Sequence, residues 1–228
     1  MNNIQRHSSL IVFPRIVLGL FIVFNIIAIL SYSGGTYLDS LNPGYSFTSN
    51  FLSDLGRTIS FSGEVNFLSA LFFNLSLILA GGIFTNYYIH VRKVFSKENQ
   101  HILALVGSIF GVLGGLAFIG VGLTPADLYL ELHVISATWL FRFFLWHQCV
   151  IRGRYSDILS LRTNMPLDTF RLPFQYYCIF WFLNLVQIPR PANSPLLYRL
   201  FLKKLFFLFL CLLYIFKLWV YKNCTNNG

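Results

Sequence analysis

Four side chains in this sequence belong to types that do chemistry in apolar surroundings: Asp54, Asp127, His133 and Arg142. A carboxylate beside an imidazole is a proton-transfer pairing, because a reference histidine pKa of about 6.5 lets the ring gain and lose a proton near neutrality. Arg142 is the costliest of the four. It stands in the middle of a long apolar segment, where a charge costs at least about 2.5 kcal/mol on insertion scales, so a functional role is the default expectation. No Asp or Glu lies inside another apolar segment to pair with it. Its candidate partners are Asn74, Ser76, Asn184, Gln187, backbone carbonyls and water. The alternative is a side chain that snorkels toward Trp146 and the membrane interface.

Helix phase keeps these groups apart. At 100° per residue, Glu131 and Arg142 share a face, with Asp127 about 60° away, while His133 lies about 180° from Arg142. One pocket holding both His133 and Arg142 is therefore not expected. The other histidines (His7, His90, His101 and His147) do not add a zinc-type cluster, because His90, His101 and His147 fall at the opposite ends of their segments from His133. The four cysteines, Cys149, Cys178, Cys211 and Cys224, form no CxxC pair. Neither a disulfide framework nor a metal or other cofactor is expected. No P-loop, dinucleotide fingerprint, HExxH or GxSxG motif is present.

The elements that position these residues are apolar. The chain has 228 residues, 56% hydrophobic and 18% aromatic, with only 11% charged and a mean hydropathy of +0.64. A soluble domain carries about a quarter charged residues. A bilayer core about 30 Å thick needs about 20 apolar helical residues, and six segments approach this: about 14–33, 66–90, 101–123, 125–151, 172–189 and 201–221. The expected fold is all-α, a single membrane domain over 1–228 with six transmembrane helices in one bundle. The first segment has the basic flank of a signal sequence but is long enough to be read as a retained helix. The fifth is the most polar, broken by Gln175, Asn184 and Gln187.

Lys and Arg gather in alternate gaps. The N-terminal stretch carries Arg6 and Arg15, the second loop Arg92, Lys93 and Lys97, and the fourth Arg152, Arg154, Arg162 and Arg171. The first loop has Arg57 alone and the third has none. The positive-inside rule then places both termini and the even loops in the cytoplasm, in an inner (plasma) membrane. Arg190, Arg199, Lys203 and Lys204 in the fifth loop run against this contrast. The formal charge of +9 flanks apolar segments rather than forming one stripe, which excludes nucleic acid as the expected partner. Lipid bilayer is the expected surrounding.

Two polar connections invite closer reading. In the first outer loop Phe47, Phe51, Leu55 and Ile59 recur every four residues, with Ser53 and Asp54 between them. This spacing predicts a short interfacial helix ended by Gly56. Asp54 is then either a solvated charge on a lid or a polar anchor at the bundle mouth. Thr124-Pro125-Ala126-Asp127 reads as a helix start, with Thr124 as cap, Pro125 in the first turn and Asp127 as the capping-box acid. Gly107, Gly111 and Gly115 stack small residues on one face of the third helix, and Asn66, Ala70, Asn74, Leu77 and Gly81 line the second, its expected partner.

Together, Ser53-Asp54-Leu55-Gly56, Phe73-Asn74-Leu75 with Gly81, and Gly122-Leu123-Thr124-Pro125-Ala126-Asp127 with His133 resemble a family of bacterial and archaeal membrane proteins catalogued as domain of unknown function 998. The resemblance covers about residues 14–221. It implies a compact six-helix protein and no assigned reaction. Thr124 departs from the aromatic residue expected there.

The leading expectation is binding of a lipid, a small amphiphile or a membrane-protein partner at the outer mouth, with Asp54, Ser53, Asp127, His133, Asn74 and Arg142 as candidate ligand-binding residues. Two rivals remain open. One is a membrane-embedded hydrolase or transferase using His133 and Asp54 as base and orienter. The other is a transporter or channel with Arg142 lining a polar path.

Overall fold

The computed structural model describes residues 7–92 and 101–162, and they are helical throughout their long elements. A π turn at Ser8–Val12 leads into α1 (Phe13–Leu30), followed by α2 (Phe67–Val91), α3 (His101–Leu123) and α4 (Leu130–Arg162). Each helix packs against its neighbour in the chain. Ser8–Leu30, Phe67–Val91 and Ala104–Leu123 are long and apolar enough to cross a membrane. The expected spans at 172–189 and 201–221, with Cys178, Cys211, Asn184 and Gln187, lie outside the described residues.

Inside an apolar bundle, polar side chains and close backbone approach hold helices together better than apolar contact does. The α1–α2 pair uses the first device. Buried Asn25 donates to the Phe21 carbonyl at 2.8 Å and to Ser76 Oγ at 3.2 Å. Ser76 in turn donates to the Phe73 carbonyl at 2.7 Å. The α2–α3 pair uses the second. A Cβ at Gly115 would stand 2.4 Å from Thr85 Oγ1 and 2.9 Å from the Gly81 carbonyl, and one at Gly111 would stand 2.3 Å from the Tyr88 ring.

Gly107 plays a different part from the other two. Its carbonyl lies 2.6 Å from His147 Nδ1 of α4. Tyr88, crossing over Gly111, reaches the His147 ring at 4.5 Å and Phe144 at 6.2 Å. Phe84 and Phe118 complete this aromatic cluster around Phe144. The glycines of α3 thus let aromatic side chains of α2 and α4 meet across it.

Two expected helices differ. The fourth begins at Leu130 and runs to Arg162, rather than covering 125–151. Residues 125–129 form one separate turn, with the Leu128 and Tyr129 N–H groups both donating to the Pro125 carbonyl. Asp127 is not a capping-box acid because its carboxylate is taken by the first loop. That loop, in turn, holds only a short 3-10 turn, Leu52–Gly56, instead of an amphipathic helix. Leu55 is fully buried while Phe47 and Ile59 are exposed, so the four apolar positions do not share a face. Nor does Gly56 serve as a left-handed cap. It is the point where the turn lies on α2, since a Cβ there would be 2.5 Å from Asn74 Oδ1 and 2.7 Å from the Phe73 ring.

Gly115→Leu should cost about 1–3 kcal/mol or more through overpacking, seen as a lower melting temperature and loss of a single detergent-solubilised peak. Gly19→Leu, where nothing lies within 4 Å, should leave both unchanged.

Candidate functional site

The polar candidates converge where residues 31–66 fold over the ends of α1, α2 and the α3–α4 turn. A loop against apolar helix ends must have its backbone groups bonded, since an unmet buried donor or acceptor costs about 1–3 kcal/mol. The first two turns of α2 meet this need. Asn66, 1% exposed, donates to the Leu55 carbonyl at 3.2 Å and the Arg57 carbonyl at 2.9 Å. Its Oδ1 accepts the Ser33 N–H at 3.2 Å. Ser69 donates to the Leu55 carbonyl at 3.0 Å and Asn74 to the Gly56 carbonyl at 3.1 Å. Asn66, Ser69 and Asn74, all near the start of α2, thus grip three successive carbonyls, those of Leu55, Gly56 and Arg57. The stripe expected to face α3 is therefore divided: Asn66 and Asn74 serve the loop, and Gly81 serves α3.

Asp54 is buried at 4% exposure within the 3-10 turn. Its carboxylate accepts the Phe51 N–H at 2.7 Å and the Asn50 Nδ2 at 3.2 Å. Asn50, fully buried, also donates to the Gly35 carbonyl at 3.0 Å and accepts the Ser46 N–H at 2.9 Å. One side chain thereby joins three stretches of the loop. Burial, and after it the Asp54 charge, push the Tyr45 phenol far above its ordinary range, so it stays protonated. Ser53 is half-buried in the same turn. Gly35 is required by its surroundings: at φ +80° a Cβ would stand 2.2 Å from the Ser62 nitrogen.

Asp127 reaches across 69 residues to the same loop. Both its oxygens lie 3.0 Å from the Thr58 N–H, and Oδ2 also takes the Ile59 N–H at 3.0 Å and the Thr58 hydroxyl. Burial alone would raise this carboxyl, but bonds from Thr58 and Ile59 outweigh it and hold its pKa below the usual value. Arg57 lies nearby with its guanidinium 4.1 Å from the Phe61 ring centroid.

His133 is buried at 6% exposure, and its Nδ1 lies 2.7 Å from the Thr124 carbonyl at the end of α3. It ties the start of α4 to the end of α3. The polar rim expected from Asp54, Asp127 and His133 thus takes another form: Asp54 and His133 are internal, and all three bind backbone. Base and orienter, as the hydrolase reading pairs them, each bond elsewhere. Among the described residues no three His, Cys, Asp or Glu side chains gather as a metal site would need.

Arg142 lies on a different face of α4 from His133, Leu140 and His147, which are all buried. Its guanidinium carbon is 5.3 Å from the Trp139 ring centroid. Asn74 and Ser76, two expected partners, make their bonds to Gly56, Phe73 and Asn25 instead. Beside it, a groove of about 370 Å³ runs between α3 and α4, lined by Leu113, Leu116, Ala117, Gly120, Trp139 and Phe143 with Ile135 and Ser136.

Sequence reasoning passed over Asn50, Asn66, Ser69 and Thr58 as site residues. Short polar residues beside a helix start were their only signal. Comparison of the chain with protein-family models, with curated proteins and with solved structures finds no match.

Asp127→Ala should lower stability by about 1–3 kcal/mol, toward the lower end because the carboxylate is half-exposed. Its folded pKa lies below the ordinary ~3.9. Its stabilisation is therefore complete above about pH 4 and lost as pH falls through the folded value. Between pH 5 and 8 the Asp127 contribution should stay constant. Below pH 4 the melting temperatures of wild type and Asp127→Ala should converge.

Proposed function

We propose that this chain is a plasma-membrane protein that holds a lipid or other small amphiphile on its outward-facing side, beneath a cap formed by the first loop. The groove between α3 and α4 carries this reading. It is open and apolar, with Leu116 and Ile135 of its lining exposed, and Ser136 is the one hydroxyl among its described lining residues. Its volume of about 370 Å³ falls within the range of small-molecule sites, about 300–1,000 Å³. It begins about two turns below the Asp127 latch, so the cap fixes the spacing of the two helices that form it.

The outward orientation rests on charge. Arg92 closes α2, while Arg152, Arg154 and Arg162 stand in the last turns of α4, all at the end away from the cap. Six spans, both termini in the cytoplasm and kinship with the family of domain of unknown function 998 belong to the same proposal.

A second reading has its own observation. Tyr37, Leu38, Leu41 and Phe47 are exposed on the locked cap, at 62%, 66%, 89% and 60%. Large apolar side chains on a rigid scaffold suit a membrane-protein partner at the outer surface.

Native mass spectrometry of the full chain released from mild detergent should retain a bound amphiphile, and Ala117→Phe, which fills the groove, should abolish it. Retention by that variant equal to wild type would refute the site. Leu41→Cys should react with a membrane-impermeant thiol reagent added outside intact cells. Reaction only after permeabilisation would reverse the orientation.

A further inference from the structure

Among the described residues, no carboxylate is placed to answer the charge of Arg142. No acid lies between Glu131 and Asp157, and none follows Asp168, so the apolar stretches at 172–189 and 201–221 bring no carboxylate toward it. On its own helix Glu131 is eleven residues away and Asp157 fifteen, about 16 Å and 22 Å along the axis. Asp54 and Asp127 are committed to the backbone of the cap.

What Arg142 does have is the Trp139 ring, 5.3 Å from its guanidinium carbon. A ring face satisfies one side of the guanidinium plane and leaves its five N–H donors, directed outward in that plane, for an acceptor. Trp139 is also a wall of the α3–α4 groove, together with Phe143 one turn further on. The cation therefore sits beside an open apolar groove. Across that groove α3 contributes Leu113, Leu116, Ala117 and Gly120, the last two small.

We propose that Arg142 binds the head group of a single-chain carboxylate amphiphile whose tail lies in this groove. A groove of about 370 Å³ is near the lower end for small-molecule sites, which suits one hydrocarbon chain rather than two. A carboxylate matches the guanidinium fork and accepts two parallel N–H bonds. It also supplies, at that depth, a counter-charge that the described residues do not place there. Arg142 lies about 18 Å along α4 from Leu130, so the head group sits at the deep end of the groove and the tail runs back toward the cap.

This inference rests on the amphiphile reading above, and the test separates the two. The full-length protein, in uncharged detergent at a pH that ionises the acid, is titrated with a bromine-labelled fatty acid and with the matching fatty alcohol. Quenching of tryptophan fluorescence is followed, and Trp139→Phe identifies the share due to Trp139. Saturable quenching of Trp139, with the acid binding about tenfold or more tighter than the alcohol, supports the proposal. Arg142→Gln should then bring the acid to the affinity of the alcohol. Arg142→Lys should keep part of the preference, and unchanged alcohol binding in both variants shows that the fold is intact.

Equal binding of acid and alcohol by wild type, or a preference that survives Arg142→Gln, overturns the role of Arg142 and leaves the amphiphile reading standing. Absence of Trp139 quenching while native mass spectrometry still finds bound lipid places the lipid elsewhere, with the same consequence. Absence of both overturns both.

Discussion

The structure depends on one constraint: a loop of 36 residues rests on apolar helix ends, and its backbone must be bonded there by side chains. Residues 31–66 contain little regular structure to do this internally, apart from the Leu52–Gly56 turn and the short Ile59–Val65 pairing. Asn50, Asp54, Asn66, Ser69, Asn74 and Asp127 do it instead. Each is short, so each reaches backbone close to its own Cα: Asn66, Ser69 and Asn74 hold the loop to α2, Asp127 holds it to the α3–α4 turn, and Asn50 and Asp54 bind the loop to itself. Charge is used sparingly. Of these six side chains two are carboxylates that accept N–H groups, and the other four are neutral amides and a hydroxyl, which suits a boundary with lipid.

That constraint explains why residues of catalytic type are not arranged catalytically among the described residues. The hydrolase alternative makes His133 the base and Asp54 its orienter from residue type alone. Both are buried, and both spend their capacity on backbone carbonyls or N–H groups. Arg142 is the exception. It is a charged group set beside an aromatic face and an apolar groove. Among the named candidates, Arg142 is therefore the one whose charge is not spent on the backbone of the cap.

Much of the helical frame was legible in the sequence. The boundaries of α2 and α3 follow the apolar runs within a residue, because a lipid-facing helix must be apolar over its whole length and its ends are marked by charge. The four-residue glycine spacing pointed correctly to close helix contact at Gly111 and Gly115, while Gly107 proved to offer its carbonyl to His147. Phase arithmetic also separated His133 from Arg142, and their burial agrees. The cap was harder to read. Period-four spacing of Phe47, Phe51, Leu55 and Ile59 suggested a helix, yet Asp54 captures the Phe51 N–H and Gly56 must lie flat on Asn74. Those are tertiary demands on single residues, and they override a local pattern. Asp127 misled for the same reason: a carboxylate that fits a cap has equal use for N–H groups 69 residues away.

The central claim is that the cap is a fixed body latched by Asp127, and amide hydrogen exchange at individual residues tests it most directly. In the wild-type protein the Phe51, Thr58 and Ile59 amides should exchange far more slowly than in an open chain. Asp127→Ala should release Thr58 and Ile59 while Phe51, held by Asp54, stays protected. Open-chain exchange at all three amides in the wild-type protein would contradict the account.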